Sequence, residues 1–377
     1  MMLISLKNIK KYPLFMITFF LLAGVLVLYL LKTDTEFSDM ENRYLTVRPA
    51  LTAAGIEDHT FMEEFETYTE EQIPFRNVLI KAKAAMERMI LKEENNGIAL
   101  GREGYLFEKV LNVDDQLYEN EAYIEKFVGD TDRNISVAIA PNSYEILKQL
   151  TPVGFPNIDQ GAELVEFNSR LLEYENCTVI DLQKALAGKE DEQVYYRTDH
   201  HWTTDGAYYA YQAYCNMTEN TSVDITSLTA EQIPDFFGTF YAKYKGFGVK
   251  PDVITYYDIP IESLTLSSGD EREQLYDLSK KEVYDKYAVF LYGNDGLCEI
   301  RSANAGNGKS LVIFKDSYAN CLIPFLTYNY DTITIVDLRY YGDSVEKLLG
   351  ENNTADILFL YNFSFLNEDR HFYRLTS

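Results

Sequence analysis

The longest apolar stretch comes first. Leu14 to Leu31 runs LFMITFFLLAGVLVLYLL without a charge. At a rise of 1.5 Å per residue, a helix of this length spans about 27 Å, close to the hydrocarbon thickness of a bilayer. Apolar residues cover every face, which a surface helix of a globular core does not need. Lys7, Lys10 and Lys11 precede the run, and Asp34 and Glu36 follow it. The positive-inside rule therefore leaves the N-terminus in the cytoplasm and the rest of the chain outside. The run is longer than the apolar part of a secretory signal, and no small-x-small cleavage site follows Leu31. It reads as an uncleaved anchor over residues 13–32, behind a short tail at 1–12.

Beyond the anchor the pattern changes twice. Asp39 to Leu51 is polar with scattered apolar residues, a tether. Phe61 to Asn95 has apolar residues at helical spacing, interrupted at Pro74 and ended by Asn96-Gly97. These segments make an N-terminal region, 33–95. IALGREGYLFE, from Ile98, predicts a hairpin with glycines at positions needing positive φ. From there short apolar runs alternate with amphipathic stretches. The runs are Ile135–Ala140, Cys177–Leu182, Ser310–Phe314, Thr332–Leu338 and Ala355–Asn362. The stretches between them predict helices over Glu163–Tyr174 and Thr203–Cys215, with another starting near Tyr318. Such alternation implies an α/β domain over 96–377, a mostly parallel sheet with helices on both faces. Between about Pro234 and Asn294 the rhythm breaks into Tyr-, Lys- and Asp-rich segments, read as an insertion on the same domain.

Charge narrows the partners. Lys plus Arg total 34 against 59 Asp plus Glu, a net charge of −25. Such a surface repels phosphate backbones, so nucleic acid is excluded as a partner. Polyanionic glycans are disfavoured on the same ground, although Lys243, Lys245 and Lys250 form a local basic patch. Cys177, Cys215, Cys298 and Cys321 are too few for a disulfide scaffold and have no zinc-ligand spacing, so no metal is expected. Asn-x-Ser/Thr sequons begin at Asn134, Asn176, Asn216, Asn220, Asn352 and Asn362, and carry meaning only in a glycosylating secretory pathway.

Two short motifs carry candidate chemistry. RTDHHWTTDGAYYAY, from Arg197, holds two of the four histidines and the single tryptophan. Asp199 and His201 are spaced so that the carboxylate can accept from imidazole Nδ1, leaving Nε2 to act as a base. VIFKDSYAN, from Val312, places Ser317 where an apolar strand turns into a helix, at the carboxyl edge where open α/β sheets bind ligands. Backbone N–H groups at such a helix start can also meet an oxyanion. Alone, a serine there is most simply a helix cap, and a His-His pair a packed loop corner. Together they supply a nucleophile, a base and an orienting acid. Asp199-His200-His201 also invites a metal reading, as in DHH phosphoesterases, but no upstream Asp/His ligand cluster accompanies it.

Asp199-His200-His201-Trp202 resembles the DHHW-motif family of bacterial membrane-anchored proteins. FSDMENRYLTVRPAL and EQIPFRNVLIKAKAAMERM, with the later NNGIALGREGYLFE, resemble that family's N-terminal pattern. The chain is similar as well to alginate O-acetylation proteins and peptidoglycan O-acetyltransferases, which have an SGNH-hydrolase-like fold. The resemblance implies Ser317 as nucleophile, His201 as general base and Asp199 as its orienter, with His200 at a variable position. The serine follows the histidine in the chain, the order of the alginate branch and the reverse of ordinary SGNH hydrolases. Ser317 N–H is the first oxyanion donor implied. Asn142, Tyr318 and Trp202 are further oxyanion or substrate candidates. Lys315 stands where the family commonly has glycine.

Implied too is an extracytoplasmic O-acetyltransferase acting on a cell-surface or exported polysaccharide through an acetyl-serine. The acetyl group would come from a membrane-bound acyltransferase partner, with no cofactor. The same residues would serve a carbohydrate acetylesterase, if water took the acyl group. A non-catalytic part of a polysaccharide modification or export complex is the remaining alternative. The acidic surface favours a neutral or cationic glycan.

Overall fold

The computed structural model describes residues 12–38, 43–89, 94–246 and 248–376. The chain divides into two compact units, 1–91 and 92–377. In the first, helix α1 (Pro13–Leu31) buries no residue and is long and apolar enough to cross a membrane. Lys7, Lys10 and Lys11, which set the expected orientation, lie outside the described residues. Of the expected tether, residues 39–42 are likewise outside, and Arg43–Tyr44 pairs with Phe37–Ser38. The interruption at Pro74 separates α2 (Thr60–Glu71) from α3 (Arg76–Met89), and Phe75 takes a positive φ of 61°. Residues 90–93 of the expected helical stretch lie outside the description, and Glu94–Asn95 forms a strand beside Ile98–Leu100.

The second unit is built on an eight-stranded sheet. Its strands are β1 (Ile135–Ala140), β2 (Cys177–Val179), β3 (Ile261–Thr265), β4 (Glu271–Arg272), β5 (Leu297–Ser302), β6 (Ser310–Lys315), β7 (Thr332–Val336) and β8 (Asp356–Asn362). Their order is β4-β3-β5-β7-β6-β8-β1-β2. The run from β7 to β2 is parallel throughout, and β5, β3 and β4 extend it antiparallel. Side chains of alternate parity enter opposite cores, as the strand period of two requires. Ile313 and Leu358 join a core with α6 (Thr204–Met217), while Val312, Phe314 and Phe359 join another with α4 (Asp115–Gly129) and α5 (Gln160–Leu171). A strand buried on both faces has to be apolar at every position, which is why these runs stood out without alternation. Each such side chain contributes about 1.5–3 kcal/mol through burial.

Three expectations shift. The run Cys177–Leu182 stops being strand at Val179, because Asp181 accepts from Lys184 N at 2.9 Å and caps a helix over Leu182–Leu186. The helix expected near Tyr318 is a five-residue 3₁₀ turn, Ser317–Cys321, followed by the single turn Ile323–Leu326. So short an element adds little dipole at Ser317. The segment read as an insertion pairs Ala230–Phe236 with Asp252–Tyr257, adds the helix Thr239–Tyr244, and supplies β3 and β4 to the large sheet.

Candidate active site

Four parallel strands end at one edge, and the residues just beyond β6, β7, β8 and β1 meet there. After β6 the chain turns through Asp316, whose carboxylate accepts from Tyr318 N at 2.8 Å and Asn362 N at 2.7 Å. The turn is thereby clamped to the end of β8. Burial pushes the Asp316 carboxyl up to about 6, against the pull of those two N–H groups. Lys315 is buried with its ammonium 2.9 Å from both Asn294 Oδ1 and Asn320 Oδ1, and it does not line the cleft into which Ser317 opens. The glycine-to-lysine departure thus leaves the space before the serine clear.

The Asp-His-His-Trp loop is held from below by Asp252. This buried carboxylate accepts from Arg197 N at 3.0 Å, Thr198 N at 2.9 Å and Thr198 Oγ1 at 2.7 Å. Above it, Asp199 Oδ1 accepts from His201 N at 3.0 Å and faces His201 Nδ1 at 2.6 Å. Its Oδ2 accepts from Thr239 N at 2.7 Å and Thr239 Oγ1 at 3.0 Å. Gly238 permits this approach, since a Cβ there would lie 2.2 Å from Asp199 Oδ2. Burial opposes the charge on Asp199, but electrostatic attraction to the adjoining imidazoles, which is full only when they are protonated, and these hydrogen bonds outweigh it. Its carboxyl is held well below the usual range.

A depressed carboxyl stabilises the fold above its unfolded value, about 3.9, and loses that contribution as pH falls through the lower folded value. The difference in unfolding free energy between wild type and Asp199→Asn is therefore expected to be largest above pH ~4 and to shrink on acidification. Urea titrations of both proteins across that range check it.

His201 Nε2 lies 2.7 Å from Ser317 Oγ. The Tyr287 ring lies parallel to the imidazole, 3.7 Å away at 10°, and its hydroxyl donates to the Ser317 carbonyl at 3.1 Å. His200 faces Thr239 Oγ1 through Nδ1 at 2.7 Å. Burial and then the neighbouring His201 push its pKa down to about 4, so it is neutral at pH 7. The fully buried Trp202 indole donates to the Tyr318 carbonyl at 2.8 Å, and Tyr318 OH donates to the His200 carbonyl. Trp202 and Tyr318 thus fasten the two motifs together. Trp202→Phe would leave that buried carbonyl with only the weak Cys321 thiol donor at 3.8 Å, an expected loss of about 1–3 kcal/mol, read as a lower denaturation midpoint.

The open cleft over Ser317 has a volume of about 340 Å³, with His200, Tyr318, Arg339, Asn362 and Ser364 among its walls. Arg339 donates through Nε at 2.9 Å and Nη2 at 2.6 Å to the buried Asp337, and Nη1 has no partner among the described residues. Ser317 N–H is also without an acceptor among them. Asn142 is not in the cleft wall. Its Nδ2 donates to Ser364 Oγ at 2.7 Å and its N–H to Gln160 Oε1 at 2.9 Å. Asp199, His200 and His201 are close enough to face one cation. Their inward atoms, however, are spent on one another, on Thr239 and on Ser317.

Reasoning from the sequence did not single out Gly238, Thr239, Asp252, Tyr287, Arg339 or Ser364. Arg339 and Ser364 had a usable signal, since each follows an apolar run at the carboxyl edge. The others lie in the stretch read as an insertion, where no motif marks them.

Fold and site together define an α/β protein with a serine–imidazole–carboxylate relay at the carboxyl edge of its sheet. Residues 162–336 match the model of the DHHW protein family, the family the motif resembles, and the matched stretch holds Asp199, His201 and Ser317. No curated protein sequence matches the chain significantly. Among solved structures, a DHHW family protein from Eubacterium siraeum is 24% identical with a TM-score of 0.63, over 75% of this chain and 96% of its own. PatB1 from Bacillus cereus, with a sulfonyl adduct, is 19% identical with a TM-score of 0.58, over 72% and 96%. The O-acetyltransferase domain of AlgJ from Pseudomonas putida is 15% identical with a TM-score of 0.45, over 73% and 93%. The first two share this chain's fold.

Proposed function

We propose that the protein is a membrane-anchored, extracytoplasmic O-acetyltransferase of SGNH-hydrolase-like architecture, acting on a cell-surface or exported polysaccharide. The observation that carries this reading is the unbroken relay from Asp199 through His201 to the Ser317 hydroxyl, with contacts of 2.6 and 2.7 Å, opening into a cleft. In the first half-reaction His201 Nε2 takes the Ser317 proton as Oγ attacks the acetyl carbonyl carbon. Ser317 N–H, with the Ser364 hydroxyl and Arg339 Nη1 as further donors, meets the oxygen as it becomes negative. Collapse breaks the bond to the donor, and the imidazolium returns its proton to the leaving group. A glycan hydroxyl then gives its proton to His201 and attacks the acetyl-Ser317 carbon, and Ser317 recovers the proton as it leaves. Asp199 holds the tautomer and the positive charge throughout.

The acetyl group would be delivered by a membrane-bound acyltransferase partner, and no cofactor enters either half-reaction. Solvent access through the open cleft favours hydrolysis as the second reading, since water can take the acyl group from the same ester. Incubation with an activated acetyl ester and oligosaccharides, comparing acetylated sugar with free acetate, separates the two. A Ser317→Ala protein that still restores glycan acetylation in a deletion strain would instead make the protein a scaffold.

A further inference from the structure

In the first unit the apolar face of one helix is turned outward. α3 and the residue before it place Phe75, Val78, Leu79, Ala82 and Met86 at i, i+3, i+4, i+7 and i+11, one stripe, and all five are exposed. A soluble amphipathic helix buries such a stripe. The density is unusual for the chain. Ten large apolar side chains are exposed between residues 44 and 86, against eleven in the whole second unit, among the described residues.

Charge separates along the same segment. The sequence of α3 carries Arg76, Lys81, Lys83 and Arg88 against Glu87, four positive minus one negative, or +3 in a chain of −25. The preceding α2 carries five glutamates and no basic residue.

Position supplies the occupant. The exit of α1 is tied to the end of α2. Thr35 N donates to Gln72 Oε1 at 2.9 Å, Gln72 Nε2 donates to Thr35 O at 3.0 Å, and the Tyr29 and Tyr68 rings meet edge-on at 6.3 Å. Lys32 and Thr35 line the same cavity as Phe75, Arg76 and Val78, so α3 begins where α1 ends. We infer that α3 is an interfacial helix, lying on the outer leaflet beside the anchor with its apolar stripe in the acyl boundary and its net positive charge attracted to anionic headgroups. Apolar burial and attraction to anionic lipid are the two forces that hold such helices. The inference rests on the anchor reading of α1 and not on the chemistry at Ser317.

Tryptophan fluorescence of the full chain in nanodiscs containing dibrominated phosphatidylglycerol tests it, because the native Trp202 is fully buried. Leu79→Trp, and independently Val78→Trp, are expected to emit at shorter wavelength than Val153→Trp on the second unit and to lose roughly half their intensity to brominated lipid. Leu22→Trp in α1 reports the anchor. Quenching at Leu22→Trp but at neither α3 position overturns the inference and leaves the anchor standing. Shielding of the α3 positions from acrylamide without quenching by brominated lipid overturns it in favour of a protein partner. Absence of quenching at all three positions overturns both.

Discussion

Alanine at position 317 is expected to lower acyl turnover by about 10⁴-fold or more, with no comparable change in stability. The hydroxyl it removes is half-buried and touches His201 Nε2 at 2.7 Å, so its loss takes away the attacking oxygen and leaves the core untouched. His201→Ala is expected to cost the same order, because a serine without a base is a poor nucleophile at neutral pH. The double variant should be no worse than either single one, since the two groups act as a unit. Hydrolysis of 4-nitrophenyl acetate measures all three, and unfolding midpoints show that the fold survives. Full activity in Ser317→Ala would remove the serine from the chemistry.

Gly238→Ala is expected to have the next largest effect, though residue 238 contributes no side chain to the cleft. Its Cβ would stand 2.2 Å from Asp199 Oδ2 and 2.5 Å from Asp199 Cγ. Asp199 cannot swing away freely, because both oxygens are held by His201 and Thr239. Either the 238–239 turn or the carboxylate must move, and a shift of about 1 Å in a relay of this kind costs about 10²-fold in rate. Forcing a methyl group into this close-packed place adds a stability loss of about 1–3 kcal/mol. Thr239→Ala, which removes one of the four hydrogen bonds to Asp199 together with the contact to His200 Nδ1 and adds no atom, should cost less in both measurements. Steady-state kinetics with urea unfolding on the pair distinguishes a clash from a lost hydrogen bond.

The parallel part of the sheet was legible because its strands are buried on both faces. ISVAIA, SLVIF and ADILFLYN are apolar at almost every position, and no surface strand needs that. The relay was legible for a different reason. Asp199 and His201 are two residues apart and Ser317 sits just past an apolar strand, so local spacing set out one of the relay's two contacts, while the His201–Ser317 contact spans 116 residues. What holds the relay in place was not legible. Thr239 reaches Asp199 across 40 residues, and Asp252 reaches Thr198 across 54, both from a region with no periodic pattern. Contacts of that kind depend on the tertiary path, which residue types do not encode locally. Element ends were blurred by side-chain caps. The Asp181 carboxylate ends β2 early, and the Asp316 carboxylate takes the Tyr318 N–H, where a longer helix had been expected. Trp202 illustrates the limit from the other side. The family resemblance put it among the oxyanion or substrate candidates, whereas the structure commits its buried indole N–H to the Tyr318 carbonyl.

The chemistry stands on a covalent intermediate at one side chain. Mass spectrometry of the purified chain, acid-quenched shortly after mixing with 4-nitrophenyl acetate, reads it directly. The expected result is an acetyl group on the peptide containing Ser317 in wild type, and none there in His201→Ala. An unlabelled Ser317 peptide in wild type, or equal labelling with and without the imidazole, would contradict it.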